Sequence, residues 1–168
     1  PAFADRPRFN RQCVWRDTPL TCTDEPVLEM EFAVARHDFA AAGEAASRVK
    51  QVLRQLGIAS HLARRAAVAA YEAEMNLVIH SHGGKIVLRV DSERITLAAR
   101  DSGPGIPDTE LAMREGYSTA SDEVREMGFG AGMGLPNIRR CSDCFEIDST
   151  VGRGTTVTAV VNIARPGS

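Results

Sequence analysis

Apolar and charged residues alternate from Val27 to Ala35. Leu28, Met30, Phe32 and Val34 fall on one face, Glu29 and Glu31 on the other. That period of two predicts a half-buried strand. A helical pattern follows, opened by His37 and Asp38 with Asp38 as N-cap, running to about Leu56 and stopped by Gly57. Its alanine-rich face, with Val49, Val52, Leu53 and Leu56, is expected to lie on a sheet. From Ser60, read as an N-cap, a second helix extends to about His82 without Pro or Gly. Leu62, Ala66, Ala70, Ala73 and Leu77 share one face of it, and Val68, Tyr71, Met75 and Ile79 form another. A helix apolar on two sides is expected to be buried. Lys85 to Val90 and Arg94 to Arg100 alternate again around Asp91-Ser-Glu93, which reads as a hairpin. A short helix from about Leu135 to Arg140, a strand from Cys144 to Thr150 and a last strand from Thr155 to Ile163 complete the pattern. Between Pro107 and Met127 the chain is polar, with at most one helical turn at Glu110 to Arg114.

Polar residues inside this apolar framework carry the candidate chemistry. Glu72 and Asn76 lie between the two apolar faces of the long helix, one turn and about 40° apart. A carboxylate and an amide so placed are costly unless they have partners. An oxygen-loving ion such as Mg2+ for Asn76, and a reacting hydroxyl or water for Glu72, would serve; a plain hydrogen-bonded pair would serve as well. Asp101 ends an apolar strand and leads at once into Ser-Gly-Pro-Gly-Ile-Pro. A carboxylate there can accept a hydrogen bond from an exocyclic amine such as that of adenine. Glycines recur at every other position at Gly128, Gly130, Gly132 and Gly134, just before the short helix. Backbone N–H groups in such a run make a seat for phosphate. Neither run has the spacing of a Walker loop or of a dinucleotide fingerprint.

Taken in order, Glu72-x-x-x-Asn76, Asp101-x-Gly103-x-Gly105, the run Gly128 to Gly134 and Gly152-Arg-Gly-Thr-Thr156 resemble the Bergerat-fold ATPases, the superfamily of gyrase, Hsp90, histidine kinases and MutL. The runs Glu115-Gly-Tyr-Ser-Thr119, Gly132-Met-Gly-Leu-Pro136 and Phe145-Glu-Ile-Asp148 look like one branch of it, the small bacterial serine/threonine kinases of the anti-sigma-factor and stress-switch type. The likeness covers about Val27 to Ile163. It implies an α/β fold, an α+β two-layer sandwich with a mixed, mostly antiparallel sheet and helices on one face. It implies ATP and Mg2+ as cofactors, bound between the helices and a lid at Pro107 to Met127. On the matching positions, Asp101 would hold the adenine amine, and Gly103 and Gly105 would let the backbone approach the base. Gly130, Gly132, Gly134 and Leu135 would meet the phosphates, with Ser118 and Thr119 contacting phosphate or metal from the lid. Thr155 would stand near the adenine, Asn76 would bind Mg2+, and Glu72 would be the catalytic base. The expected activity is transfer of phosphate to a small anti-sigma-antagonist-like regulatory protein, with a second regulated protein as a further partner. A non-catalytic, ATP-gated binding module is the alternative, and retention of Glu72 speaks against it.

Composition narrows the class further. With 43% hydrophobic and 25% charged residues and a net charge of −2, the 168 residues suit one globular domain, and no basic excess points to nucleic acid. No apolar run approaches the ~18 residues of a membrane span, and no signal-peptide core opens the chain, so a cytoplasmic place is expected. Residues 1–26, with Pro1, Pro7, Pro19, Pro26 and the lone Trp15, read as an extension ahead of an ATPase domain at 27–168. Cys13, Cys22, Cys141 and Cys144 could in principle hold zinc or an iron–sulfur cluster. The wide spacing of the first pair, and the helix-to-strand position of the second, favour packing instead. His80 and His82 lack a third ligand nearby in sequence and read as packing residues. Dimerisation through the first strand and helix, as in some members of the resembled family, stays open.

Overall fold

The fold is built on a five-stranded sheet in the order β1-β2-β3-β5-β4, as seen in a computed structural model that describes residues 28–163. The strands are β1 (Leu28–Val34), β2 (Gly84–Val90), β3 (Arg94–Asp101), β4 (Cys144–Thr150) and β5 (Gly154–Asn162). All four pairings are antiparallel, so the sheet is not mixed. The reason is local: β2 and β3 form a tight hairpin, and the β4–β5 turn is equally short. At the hairpin, Asp91 Oδ1 accepts from the backbone N–H of Glu93 and Arg94 at 2.7 and 2.9 Å, which fixes the turn and thereby the register.

Register assigns the two faces. Met30, Leu88, Leu97 and Ala159 stand in one row, and Phe32, Ile86, Ala99 and Val157 in the next. These rows face the helices and belong to a single hydrophobic cluster. On the other face Glu29 pairs with Arg89 and Glu31 with Lys85, all well exposed, so each pair adds little to stability.

Two helices cover the sheet: α1 (Glu44–Gln55) and α2 (Ser60–His80). Leu62, Ala66, Ala70, Ala73 and Leu77 of α2 are buried as the period requires. The second apolar face is only partly so, because Met75 is buried while Val68 and Tyr71 stay exposed. Ser60 is the first helical residue rather than its cap; Ala59 precedes it and no side chain caps this end. At the other end the hydroxyl of buried Ser81 donates to Leu77 O at 2.6 Å and accepts from Gly83 N at 2.9 Å, closing the helix.

The beginning of α1 differs from the sequence expectation. Asp38 caps a turn, accepting from Ala41 N at 3.1 Å, and the helix starts only at Glu44. Gly43, at φ 96°, breaks the helical path between them. The true cap comes from α2. Glu74 is only 3% exposed, and its two carboxylate oxygens accept from Ala45 N and Ala46 N at 3.2 and 3.1 Å. They satisfy donors that a helix leaves orphaned at its first turn. Leu56, expected on the sheet, is exposed because α1 ends at Gln55.

Glu74→Gln keeps the volume but turns one acceptor into a donor facing a backbone N–H. One buried donor is then unpaired, at a cost of about 1–3 kcal/mol. The urea midpoint should fall with the slope unchanged. A midpoint equal to wild type would remove this cap from the account.

Three short helices complete the described residues: α3 (Thr109–Ala112), α4 (Asp122–Glu126) and α5 (Gly134–Arg140). Asp108 caps α3 and Ser121 caps α4. The expected turn at Glu110 to Arg114 therefore begins and ends slightly earlier, and α4 was not anticipated. The extension at residues 1–26, with Trp15, Cys13 and Cys22, lies outside the described residues.

Candidate nucleotide site

A cavity of about 530 Å3 opens between α2, the end of β3, the lid and the second glycine run. Its walls contain Glu72, Asn76, Asp101, Gly105, Ser118, Thr119, Gly130, Gly132, Gly134, Leu135 and Thr155. Residues as far apart in sequence as Glu72 and Thr155 thus meet in one place. Gly103 does not line it. It is buried behind Asp101, and its N–H donates to Asp101 Oδ1 at 2.7 Å. A side chain at 103 would press on that oxygen, so Gly103 supports the carboxylate rather than making room for a ligand.

Asp101 is held at the last position of β3. Its Oδ1 also accepts from Thr155 N at 3.3 Å, which ties the strand end to β5. Both bonds use one oxygen. Thr155 Oγ1 in turn lies 2.8 Å from Ser149 Oγ, and that hydroxyl accepts from Ile106 N at 2.8 Å. The first glycine loop is therefore stitched to β4 and β5. Gly105, at φ 75°, passes so close to Thr150 O that an added Cβ would lie 2.4 Å from it, which excludes any larger residue.

The second run is fastened to the lid. Gly116 N donates to Gly132 O at 2.9 Å, and a Cβ on Gly132 would collide with the backbone of Gly116. At Gly134 a Cβ would meet Asn76 Oδ1 at 3.0 Å, so α5 begins against the Asn76 amide. Glu72 sits one turn earlier on α2, and its Oε1 accepts from Asn137 Nδ2 at 2.8 Å.

The lid hydroxyls have protein partners. Ser118 Oγ accepts from Ala120 N at 3.1 Å, and Thr119 Oγ1 lies 3.3 Å from His80 Nδ1. His80 lines the cavity, where burial lowers its pKa and favours the neutral ring. Enough of the ring remains open to solvent that the effect on stability is small. Phe129 of the glycine run stacks on Phe39 at 5.3 Å between ring centroids, and it too lines the cavity. Sequence reading missed Phe39, Phe129, Glu74 and Asn137. Phe129 carried a usable signal, being a large apolar residue amid glycines.

The cavity fits a nucleotide in size and lining. Met75, Ile79, Ile106 and Val157 offer apolar wall for a base, with Asp101 as the polar group among them. Among the described residues no three His, Cys, Asp or Glu stand together as metal ligands. Asn76 can give Mg2+ one oxygen, and an ion that keeps water and phosphate oxygens needs little more from protein. Cys141 and Cys144 are not joined in a disulfide. Burial pushes the Cys141 thiol up, Arg65 pulls it down and Glu72 raises it, so the protonated thiol is favoured.

The profile of the family described as histidine kinase-, DNA gyrase B-, and HSP90-like ATPase matches residues 62–165. The chain belongs to this ATPase family. The matched stretch contains both glycine loops and every cavity residue named above. Among relatives, the serine/threonine-protein kinase RsbT of Bacillus subtilis is 30% identical over 115 residues, 66% of this chain and 80% of its own length. An anti-sigma F factor of Caldanaerobacter subterraneus subsp. tengcongensis is 34% identical over 102 residues, 58% of this chain and 68% of its own. One chain of the crystal structure of the SiaB–SiaC complex from Pseudomonas aeruginosa shares the ATPase fold, with a TM-score of 0.50 at 10% identity, over 79% of this chain and 89% of that one.

Proposed function

We propose that this chain is an ATP-dependent serine/threonine protein kinase that phosphorylates a small regulatory protein and so controls signalling or transcription. The carrying observation is that Glu72, Asn76 and Asp101 all stand in the wall of one cavity. The names of the relatives support it: one is a serine/threonine-protein kinase, others are anti-sigma F factors. In this reading residues 27–168 are the ATPase domain and 1–26 an extension. The proposed place of action is the cytoplasm. No helix among the described residues is long and apolar enough to cross a membrane.

ATP brings the phosphoryl group and Mg2+ offsets its charge. The protein positions and stabilises. Asp101 Oδ1 is occupied by Gly103 and Thr155, so the carboxylate is rigid and its other oxygen serves the adenine amine. Gly130, Gly132 and Gly134 keep the backbone bare beside the phosphates, and Leu135 follows at the start of α5. Asn76 lends its oxygen to the metal. Ser118 and Thr119 ride on the lid above. Glu72 accepts the proton of the partner's attacking hydroxyl, with Oε1 steadied by Asn137. The partner has the chemistry of an anti-sigma-antagonist domain; a second regulated protein, and a homodimer, are compatible additions.

The test is phosphotransfer. Proteins captured with and without Mg-ATP are identified by mass spectrometry, and the purified pair is incubated with γ-labelled ATP. Label on a serine or threonine of the partner is the expected result. No transfer, with partner affinity still altered by ATP, would replace the kinase by an ATP-gated binding module.

A further inference from the structure

Asn137 lies on α5, one turn beyond Gly134, and is not part of the cavity wall. It nevertheless reaches the proposed base, donating from Nδ2 to Glu72 Oε1 at 2.8 Å. Its Oδ1 accepts from Arg140 Nη1 at 3.3 Å. A guanidinium can only donate and a carboxylate only accepts. Both neighbours therefore demand the same orientation of the amide, and neither tolerates its flip. Arg140 also donates through Nη2 to Glu115 Oε1. Glu115 precedes Gly116, whose N–H is bound to Gly132 O. Four side chains thus run in a line from the lid to Glu72.

We propose that Asn137 is the positioning residue for Glu72, and that Arg140 and Glu115 make that positioning depend on a closed lid. The inference rests on the reading of Glu72 as the base. A glutamate has three rotatable bonds, and holding one oxygen directs the other. Arg140 and Glu115 are both more than half exposed, so their ion pair contributes little to stability. Its value is conditional. With the pair made, Arg140 holds Oδ1 and Nδ2 must face Glu72. With the lid lifted and Arg140 free, only the bond to Glu72 orients the amide, and the Asn137 side chain can swing away from the carboxylate. Closure over the nucleotide and aiming of the base then become one event.

The test uses the full chain, with γ-labelled Mg-ATP and water as acceptor, enzyme in excess for the chemical step and dilute enzyme for KM. Asn137→Leu, similar in size but without polar atoms, should lower the rate constant about ten- to hundredfold, the scale of a misplaced reacting group, and leave KM for ATP within about twofold. Arg140→Gln and Glu115→Gln should lower it less, in the same direction. The exchanged pair Glu115→Arg with Arg140→Glu restores the ion pair but sets an acceptor against Asn137 Oδ1, so its rate should stay low. Recovery in that double variant would make the pair merely structural and overturn the lid coupling. In two-dimensional amide spectra the Asn137 side-chain signals should move on Glu72→Gln; unmoved signals would overturn the positioning itself. Glu72→Gln is assayed in parallel. If it is slow while Asn137→Leu matches wild type, only this inference falls. If Glu72→Gln matches wild type, the base assignment falls and takes the inference with it.

Discussion

Glu72→Gln should bind Mg-ATP almost as wild type does and transfer phosphate about 10²–10⁴ times more slowly, the usual contribution of a positioned base. The structure says why the two effects separate. The glutamine oxygen can still accept from Asn137 Nδ2, so α2 and α5 stay docked. What is lost is the proton acceptor at the second oxygen. Asn76→Ala is the contrasting variant. It removes the oxygen offered to the metal, so nucleotide affinity and transfer should fall together. Calorimetry for binding and labelled-phosphate transfer for rate, on both variants, check the pair. A Glu72→Gln protein that transfers at the wild-type rate would leave a kinase whose base lies elsewhere.

Asp101→Asn should weaken ATP binding by about ten- to a hundredfold, the equivalent of a charge-assisted hydrogen bond of roughly 1.5–3 kcal/mol. The substitution is selective because of how Asp101 is anchored. Its Oδ1 serves Gly103 N and Thr155 N, and an asparagine oxygen can keep both bonds. The amide nitrogen then replaces the other oxygen and presents a donor to the adenine amine, itself a donor. Binding of an inosine nucleotide, which offers an acceptor there, should suffer less than binding of ATP. Equal losses for both nucleotides would place Asp101 away from the base.

The fold was legible where a pattern is local. Strand alternation, the hairpin at Asp91 and the long helix from Ser60 each follow from periodicity within one segment. Glu72 and Asn76 stood out because two polar residues interrupt an apolar helix at a spacing of one turn. The failures share a cause. Nothing local marks Glu74 as buried, since its partners Ala45 and Ala46 are 29 and 28 residues upstream. Asn137 carries no local sign of its role, because Glu72 is 65 residues away. Asp38 carried a genuine capping signal, but Gly43 turned the chain before the helix could start. A missed element, α4, did have a local sign: Ser121 ahead of Asp122 and Glu123 is an N-cap followed by an acidic first turn.

The borrowed cap of α1 bears on the order in which the molecule assembles. Chains are made from the N-terminus onward, so Ala45 and Ala46 emerge well before Glu74. Until then the first turn of α1 has no carboxylate to receive its N–H groups, and a twelve-residue helix is marginal alone in water. The start of α1 is therefore set only when α2 has been synthesised and folds back against it. A nascent chain halted just before Glu74 should show α1 frayed at its beginning, and one extended past α2 should show it sealed.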